Sequence, residues 1–248
     1  MSSVGNALRR TVSLLLPESW KRQVKNSLFG VPDTESSLRR MKNLGFSPRT
    51  VIDVGAYVGG WTQTCQKIFP AARVLMVEPL AHPIPRLEAT AKALAGVEFR
   101  SALLGARQRS DVPFYEAETA SSVLGEASKQ AIPARRLSMT TLDHLTMDTP
   151  FAKPDFIKAD VQGYELEVLK GAERSIQSAE AILLEVNLLG IYEKAPLFHE
   201  TAEYMGRRDF QVYDLCSFFT RPLDGALWQV DVIFVHRSSA LVSSTRWS

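Results

Sequence analysis

Asp53, Glu78, Asp160 and Glu185 each stand at or near the end of a short apolar run, and that shared position is where the chain's chemistry begins. Asp53 closes Thr50-Val51-Ile52 and opens the spacing Asp-x-Gly-x-x-x-Gly with Gly55 and Gly59. Such a glycine loop brings backbone N–H groups and a helix N-terminus against a small ligand. Glu78 ends the run Arg73 to Val77, 25 positions beyond Asp53, where an acidic side chain accepts both hydroxyls of a ribose. Asp160 follows Phe156-Ile157-Lys158-Ala159 and is suited to hold the proton that an acceptor hydroxyl gives up. Lys158, two residues earlier on the same strand face, steadies that charge; the plainer alternative is a structural ion pair. Asp160, Glu185 and Asn187 also form an oxygen-ligand set suited to Mg²⁺ or Ca²⁺ rather than zinc. In that version the ion binds the acceptor oxygen and lowers its pKa.

These side chains converge only if the elements carrying them lie side by side. Apolar runs at 50–53, 73–77, 97–104, 155–160 and 181–186 read as strands, and 61–69, 83–95, 164–170 and 197–206 as helices between or after them. Residues 34–46 read as a preceding helix capped by Thr34. Strands alternating with helices give a mainly parallel sheet covered on both faces. Runs at 210–216 and 231–236 lack a helix between them and pair antiparallel at one edge. Between 106 and 150 the pattern loosens: 111–115 and 135–141 suggest a hairpin-like insertion, with Pro113 favouring an edge strand, and a Ser-rich loop lies between. In such open sheets, ligands bind beyond the carboxyl ends of the strands, and all four carboxylates lie there. The expectation is an α/β, class I methyltransferase (Rossmann-like) fold, a mainly parallel sheet with an antiparallel edge strand.

The loop spacing narrows the ligand. Nicotinamide cofactors carry a pyrophosphate and favour the denser Gly-x-Gly-x-x-Gly. Here Ala56-Tyr57-Val58 separate the glycines, which suits an adenosine ligand with an amino-acid end and no phosphate. S-adenosylmethionine fits, and Asp53 offers a negative group near its sulfonium. The segments DVGAYVGGWT, VEPL, SALLG, TLDHL, DFIKADVQGYELEVLKGAE and ILLEV, in that order, resemble the FkbM-type family of S-adenosylmethionine-dependent methyltransferases. The resemblance runs from about Val51 to Val235, is most distinctive from Ile157 to Ala172, and leaves out residues 1–45. It implies O-methylation of hydroxyls on sugars, glycoconjugates or polyketide-like metabolites. Tyr57 departs from it, standing where the family commonly has Asn followed by a small or aliphatic residue.

The candidate cofactor contacts are Asp53, Gly55, Tyr57, Gly59, Glu78, Pro79 and Ser122, the last in the loop that reaches over the crevice beside Ser121. The candidate catalytic groups are Asp160 and Lys158, with Asp160, Glu185 and Asn187 as the metal alternative. His82 borders the adenine side; His144 and His199 are reserve bases, and His236 lies on an edge strand.

Composition sets the outer limits. The 248 residues are 45% hydrophobic with a net charge of +2, enough for one sizeable core and no general case for nucleic acid. Asp160-Val161-Gln162-Gly163 also stands where amino-methylating enzymes offer an Asn/Asp-Pro-Pro-aromatic turn. Cys65 and Cys216 make no disulfide framework, which favours a cytoplasmic setting. Leu14-Leu15-Leu16 is too short an apolar run for a secretory or spanning segment. Residues 1–50 hold nine Lys/Arg against three Asp/Glu, so the N-terminal arm is either a packed helix or a basic contact to an anionic membrane surface. The expected organisation is an extension over 1–45, a catalytic domain over 46–237 and a tail over 238–248. A nicotinamide-dependent dehydrogenase and a non-catalytic nucleotide-binding module are the rivals.

Overall fold

The computed structural model describes residues 32–115, 122–124, 134–190, 192, 194–244 and 246–247. The N-terminal arm, Ser121 and most of the Ser-rich loop lie outside the described residues. Among the described residues no helix is long and apolar enough to cross a membrane.

The chain opens with α1 (Thr34–Asn43), then β1 (Thr50–Val54), α2 (Gly60–Ile68), β2 (Arg73–Val77), α3 (Ile84–Ala93) and β3 (Val97–Arg100). A smaller unit follows: β4 (Leu103–Leu104), β5 (Arg109–Tyr115), β6 (Ala134–Thr140) and α4 (Leu142–Thr146). The alternation resumes with β7 (Phe156–Ala159), α5 (Glu165–Lys170), α6 (Glu173–Ser178), β8 (Ala181–Asn187) and α7 (Phe198–Gly206), and ends in β9 (Phe210–Thr220) and β10 (Leu227–His236). The seven-stranded sheet runs β3-β2-β1-β7-β8-β10-β9, with β4-β6-β5 as a separate three-stranded sheet. The pairings among β3, β2, β1, β7 and β8 are parallel, whereas β10 is antiparallel to both β8 and β9. The expected fold is therefore present, with β9 as the outer strand and the reversed β10 inside it.

Alternation along the strands builds two cores. Ile52, Val54, Ile157, Ala159, Ile182 and Leu184 pack on one face with Leu169 and Ile176 of α5 and α6. Val51, Val74, Met76, Phe156 and Ile233 pack on the other with Leu38, Met41, Cys65 and Ile68 of α1 and α2. Both cysteines are free and buried; burial, then the Asp231 charge, pushes the Cys216 thiol up to about 12.

Two local expectations change and a third holds. Asp33, not Thr34, caps α1: its carboxylate accepts the Ser36 N–H at 2.6 Å, and Ser36 Oγ completes a reciprocal capping box. Thr34 Oγ1 instead donates to Asp231 Oδ2 at 2.7 Å, tying the start of α1 to β10. The strand read over 97–104 is two strands, because Leu103 and Leu104 leave β2 to pair with Met139 and Thr140 of β6. The hairpin-like insertion is present as antiparallel β5 and β6, with Pro113 on an edge strand of the small sheet.

Candidate active site

A cavity of about 180 Å³ opens where the carboxyl ends of β1, β2 and β7 face the small sheet. Gly55, Tyr57, Glu78, Pro79, Asp160 and Gln162 form its polar and loop wall. Leu80, Leu103, Leu104, Phe114, Val123 and Tyr164 supply apolar surface. The insertion read least clearly from sequence thus closes one side of the cavity.

Gly55 is the tightest point of the loop. Its φ is +73°, and a Cβ there would fall 1.9 Å from the Asp160 carbonyl oxygen. The β1 loop and the end of β7 can approach this closely only without a side chain. Tyr57 has a φ of 46°, in the left-handed region, and its ring meets His82 edge-on at 5.7 Å between centroids.

Glu78 is nearly buried, and both carboxylate oxygens are engaged. Oε2 accepts the Tyr57 N–H and Oε1 the Leu80 N–H, each at 2.9 Å. Burial pushes its pKa up, with the two backbone N–H groups and Lys158 pulling the other way. Each oxygen retains lone-pair capacity for a ligand hydroxyl.

Asp53, Gly59 and Ser122 stand behind this wall. Asp53 is fully buried and pairs in register with Lys158 across β1 and β7. Its Oδ2 accepts Thr62 Oγ1 at 2.7 Å and its Oδ1 lies 3.1 Å from Lys158 Nζ. Gly59, with φ +81°, is the N-cap residue of α2 and faces Thr90, Leu87 and Met76. Ser122 is buried and donates to the Gln162 carbonyl at 2.9 Å, latching the insertion to the end of β7. These three shape the loop rather than line the cavity.

Asp160 and Lys158 do come together. Lys158 Nζ lies 3.8 Å from Asp160 Oδ2, and donates to the carbonyls of Val54 at 3.3 Å and Gly55 at 2.9 Å. Burial alone would lower the lysine's pKa; the Asp53 and Asp160 carboxylates outweigh it, and the net direction is upward. Lys158 is therefore a fixed cation that knits the loop, while Asp160, partly exposed, faces the cavity.

The proposed metal set is occupied by amide donors. Gln162 Nε2 donates to Asp160 Oδ1 at 2.9 Å and to Glu185 Oε2 at 2.7 Å. Gln229 Nε2 donates to Glu185 Oε2 and Asn187 Oδ1, both at 3.1 Å. Among the described residues no group of three or more His, Cys, Asp or Glu is arranged to hold a metal ion. Asp160, Glu185 and Asn187 thus form an amide-bridged network and do not fit an ion as they stand. Burial first, then the Asp160 charge, raises the pKa of Glu185 well above the usual carboxylate range.

Sequence reasoning missed Gln162, Tyr192, Gln229 and Glu165, which organise this network. For Gln162 and Glu165 the signal was thin: a glutamine and a glycine two and three residues after a strand-ending acid, then a glutamate at the start of a helix. His144, His199 and His236 are not among the residues lining the cavity.

Comparison with known proteins bears on the family and the fold. Hexuronic acid methyltransferase AglP of Haloferax volcanii is 25% identical over 135 residues, covering 54% of this chain and 54% of that protein. The match thus spans about half the length of that curated relative. The crystal structure of the N-terminal domain of EvdMO1 with SAH bound shares the fold at a TM-score of 0.50 and 12% identity, over 83% of this chain and 82% of that one. The same domain in the presence of SAH and D-fucose gives the same score and identity over 83% of each chain. The Methyltransferase FkbM domain matches residues 53–212, starting at the Asp53 of the glycine loop and ending within β9. On that match, the chain belongs to the FkbM methyltransferase domain family.

Proposed function

We propose that the protein transfers a methyl group from S-adenosylmethionine to a hydroxyl oxygen of a sugar-containing acceptor. The observation that carries this reading is the pairing of Glu78 and Asp160 in one cavity: a buried carboxylate at a ribose position and a partly exposed one facing the same space. When bound, S-adenosylmethionine supplies an activated methyl group on a sulfonium sulfur.

The chain's own residues supply binding, orientation and a proton site. Glu78 accepts ribose hydroxyls while the Tyr57 and Leu80 N–H groups hold its carboxylate in place. Gly55 lets the loop close on Asp160, and the apolar side chains of the insertion keep water from the reacting groups. In-line transfer draws most of its acceleration from this alignment. Asp160 takes the proton of the acceptor hydroxyl at Oδ2, the oxygen that Gln162 leaves open.

The sugar acceptor rests on the family resemblance and on the name of the relative matched over about half its length. The reading routes no step through a divalent ion: Gln162 and Gln229 donate to Asp160 Oδ1, Glu185 Oε2 and Asn187 Oδ1. Incubation with S-adenosylmethionine and a panel of glycosides, followed by mass spectrometry, tests the reaction. The expected product is heavier by one methylene, with and without chelator. Reduced nicotinamide binding in place of S-adenosylmethionine would instead support a dehydrogenase, and cofactor binding without any transfer a non-catalytic module.

A further inference from the structure

The outer edge of the large sheet ends in an exposed apolar tip. β9 is the outermost strand, and Leu215, Phe218 and Phe219 along it are exposed, with Leu223 in the turn to β10 exposed at 81%. The pairing of β9 with β10 runs on to Thr220 and Leu227, whereas β8 ends at Asn187, opposite Gln229. The hairpin tip therefore stands beyond the end of β8. Two reversals, of β10 against β8 and of β9 against β10, leave β9 running the same way as β1 and β7. Phe218, Phe219 and Leu223 thus lie at the end of the sheet that carries the cavity.

The same edge receives the basic arm. The Pro32 carbonyl accepts the Ser217 N–H at 3.1 Å, and Thr34 Oγ1 meets Ser217 Oγ at 2.7 Å. The chain preceding Pro32 therefore joins the fold beside the neighbour of Phe218. Residues 1–31 hold five Lys/Arg against one Glu. The acids of the hairpin are engaged: Asp214 with Arg40, Asp224 with Arg221 and Asp231 with Thr34. Basic charge and exposed aromatic side chains at one place are the two signals that together hold a protein on an anionic lipid surface.

A second copy paired through β9 fits less well. Ser217 has a φ of 55°, its N–H is taken by Pro32, and the β9–β10 register shifts on both sides of Gln229. A strand interrupted in this way is blunted against edge-to-edge addition. Two copies meeting there would also bring together two basic segments of like charge.

We propose that the tip of the β9–β10 hairpin and the basic N-terminal arm form one docking surface for an anionic lipid bilayer. Phe218, Phe219 and Leu223 enter the headgroup layer, and the lysines and arginines of the arm meet its negative charge. Docked in this way, the cavity end of the sheet faces the membrane.

The test is co-sedimentation of the full chain, without cofactor, on vesicles of phosphatidylcholine alone and of phosphatidylcholine mixed with phosphatidylglycerol. Binding to the mixed vesicles should be tighter by about tenfold or more and should weaken as salt is raised. Phe218→Ser with Leu223→Ser should weaken it by about tenfold. Lys21→Gln with Arg22→Gln and Lys25→Gln should remove most of the preference for the anionic lipid. No binding to either vesicle, equal binding to both, or unchanged behaviour of either variant overturns the proposal. A dimer that Phe218→Ser with Leu223→Ser turns into a monomer, read by light scattering, gives this face to a second copy and overturns it as well. If that double variant fails to fold, Leu223→Ser alone, at an exposed turn position, should still weaken binding to the mixed vesicles, and full binding by it overturns the proposal.

Discussion

Lys158 and Asp53 face each other across β1 and β7, Nζ to Oδ1 at 3.1 Å, beneath the loop that forms one wall of the cavity. Asp53 is fully buried, so the lysine neutralises a charge that has no route to solvent. The same ammonium donates to the Val54 and Gly55 carbonyls, joining charge compensation to loop geometry. Lys158→Met should lower unfolding free energy by about 3–5 kcal/mol, the scale for stranding one member of a buried pair. Denaturant titration measures this. Asp53→Asn combined with Lys158→Met should recover part of the loss, and additivity of the two changes would show that the pair is not coupled.

Gly55 should tolerate no side chain. Gly55→Ala places a Cβ at 1.9 Å from the Asp160 carbonyl, on a residue whose φ is already positive. The strands are packed on both sides, so relief must come from moving β1 and β7 apart. A loss of roughly 2 kcal/mol or more is expected in chemical denaturation, together with weaker cofactor binding. A variant as stable as the parent would mean that the two backbones are not this close in solution.

Asp160→Asn separates chemistry from binding. Its amide keeps a polar contact to Gln162 but takes up no proton. The prediction is a fall in kcat of about a hundredfold or more with S-adenosylmethionine affinity changed only a few-fold. Unaltered turnover on an established acceptor would remove Asp160 from the proton-accepting role.

Acid should stabilise this protein between about pH 4 and 7. Burial raises Glu165 to about 7 and Asp231 to about 6, against ordinary values of 4.5 and 3.8. The folded state therefore holds more protons than the unfolded chain in that window, and stability falls as pH rises through it. For Glu165 alone the span is worth on the order of 3 kcal/mol. Glu165→Gln should flatten the slope of unfolding free energy against pH; a slope identical to the parent's would exclude Glu165 as a source.

The strands and their terminal acids were readable because each is a short apolar run closed by one polar residue. That pattern sufficed to place Asp53, Glu78, Asp160 and Glu185 at one end of the sheet. It did not separate Asp53, sealed under the loop, from Glu78 in the cavity wall, because both end a strand in the same way. The break at Ser101 and Ala102 was invisible, since Leu103 is drawn off by Met139, a partner 36 residues away in sequence. α6 went unread because six residues give too short a stripe for helical periodicity. Gln162 escaped for another reason: its importance lies in a left-handed backbone imposed by Glu165, and a glutamine in sequence carries no mark of that.

Calorimetric titration of the intact protein with S-adenosylmethionine tests the central claim most directly, with Glu78→Ala as the paired variant. The arrangement of Glu78 beneath the Tyr57 and Leu80 N–H groups predicts saturable one-to-one binding, weakened at least tenfold in Glu78→Ala. No binding to the intact protein, or equal affinity in the variant, would contradict the account.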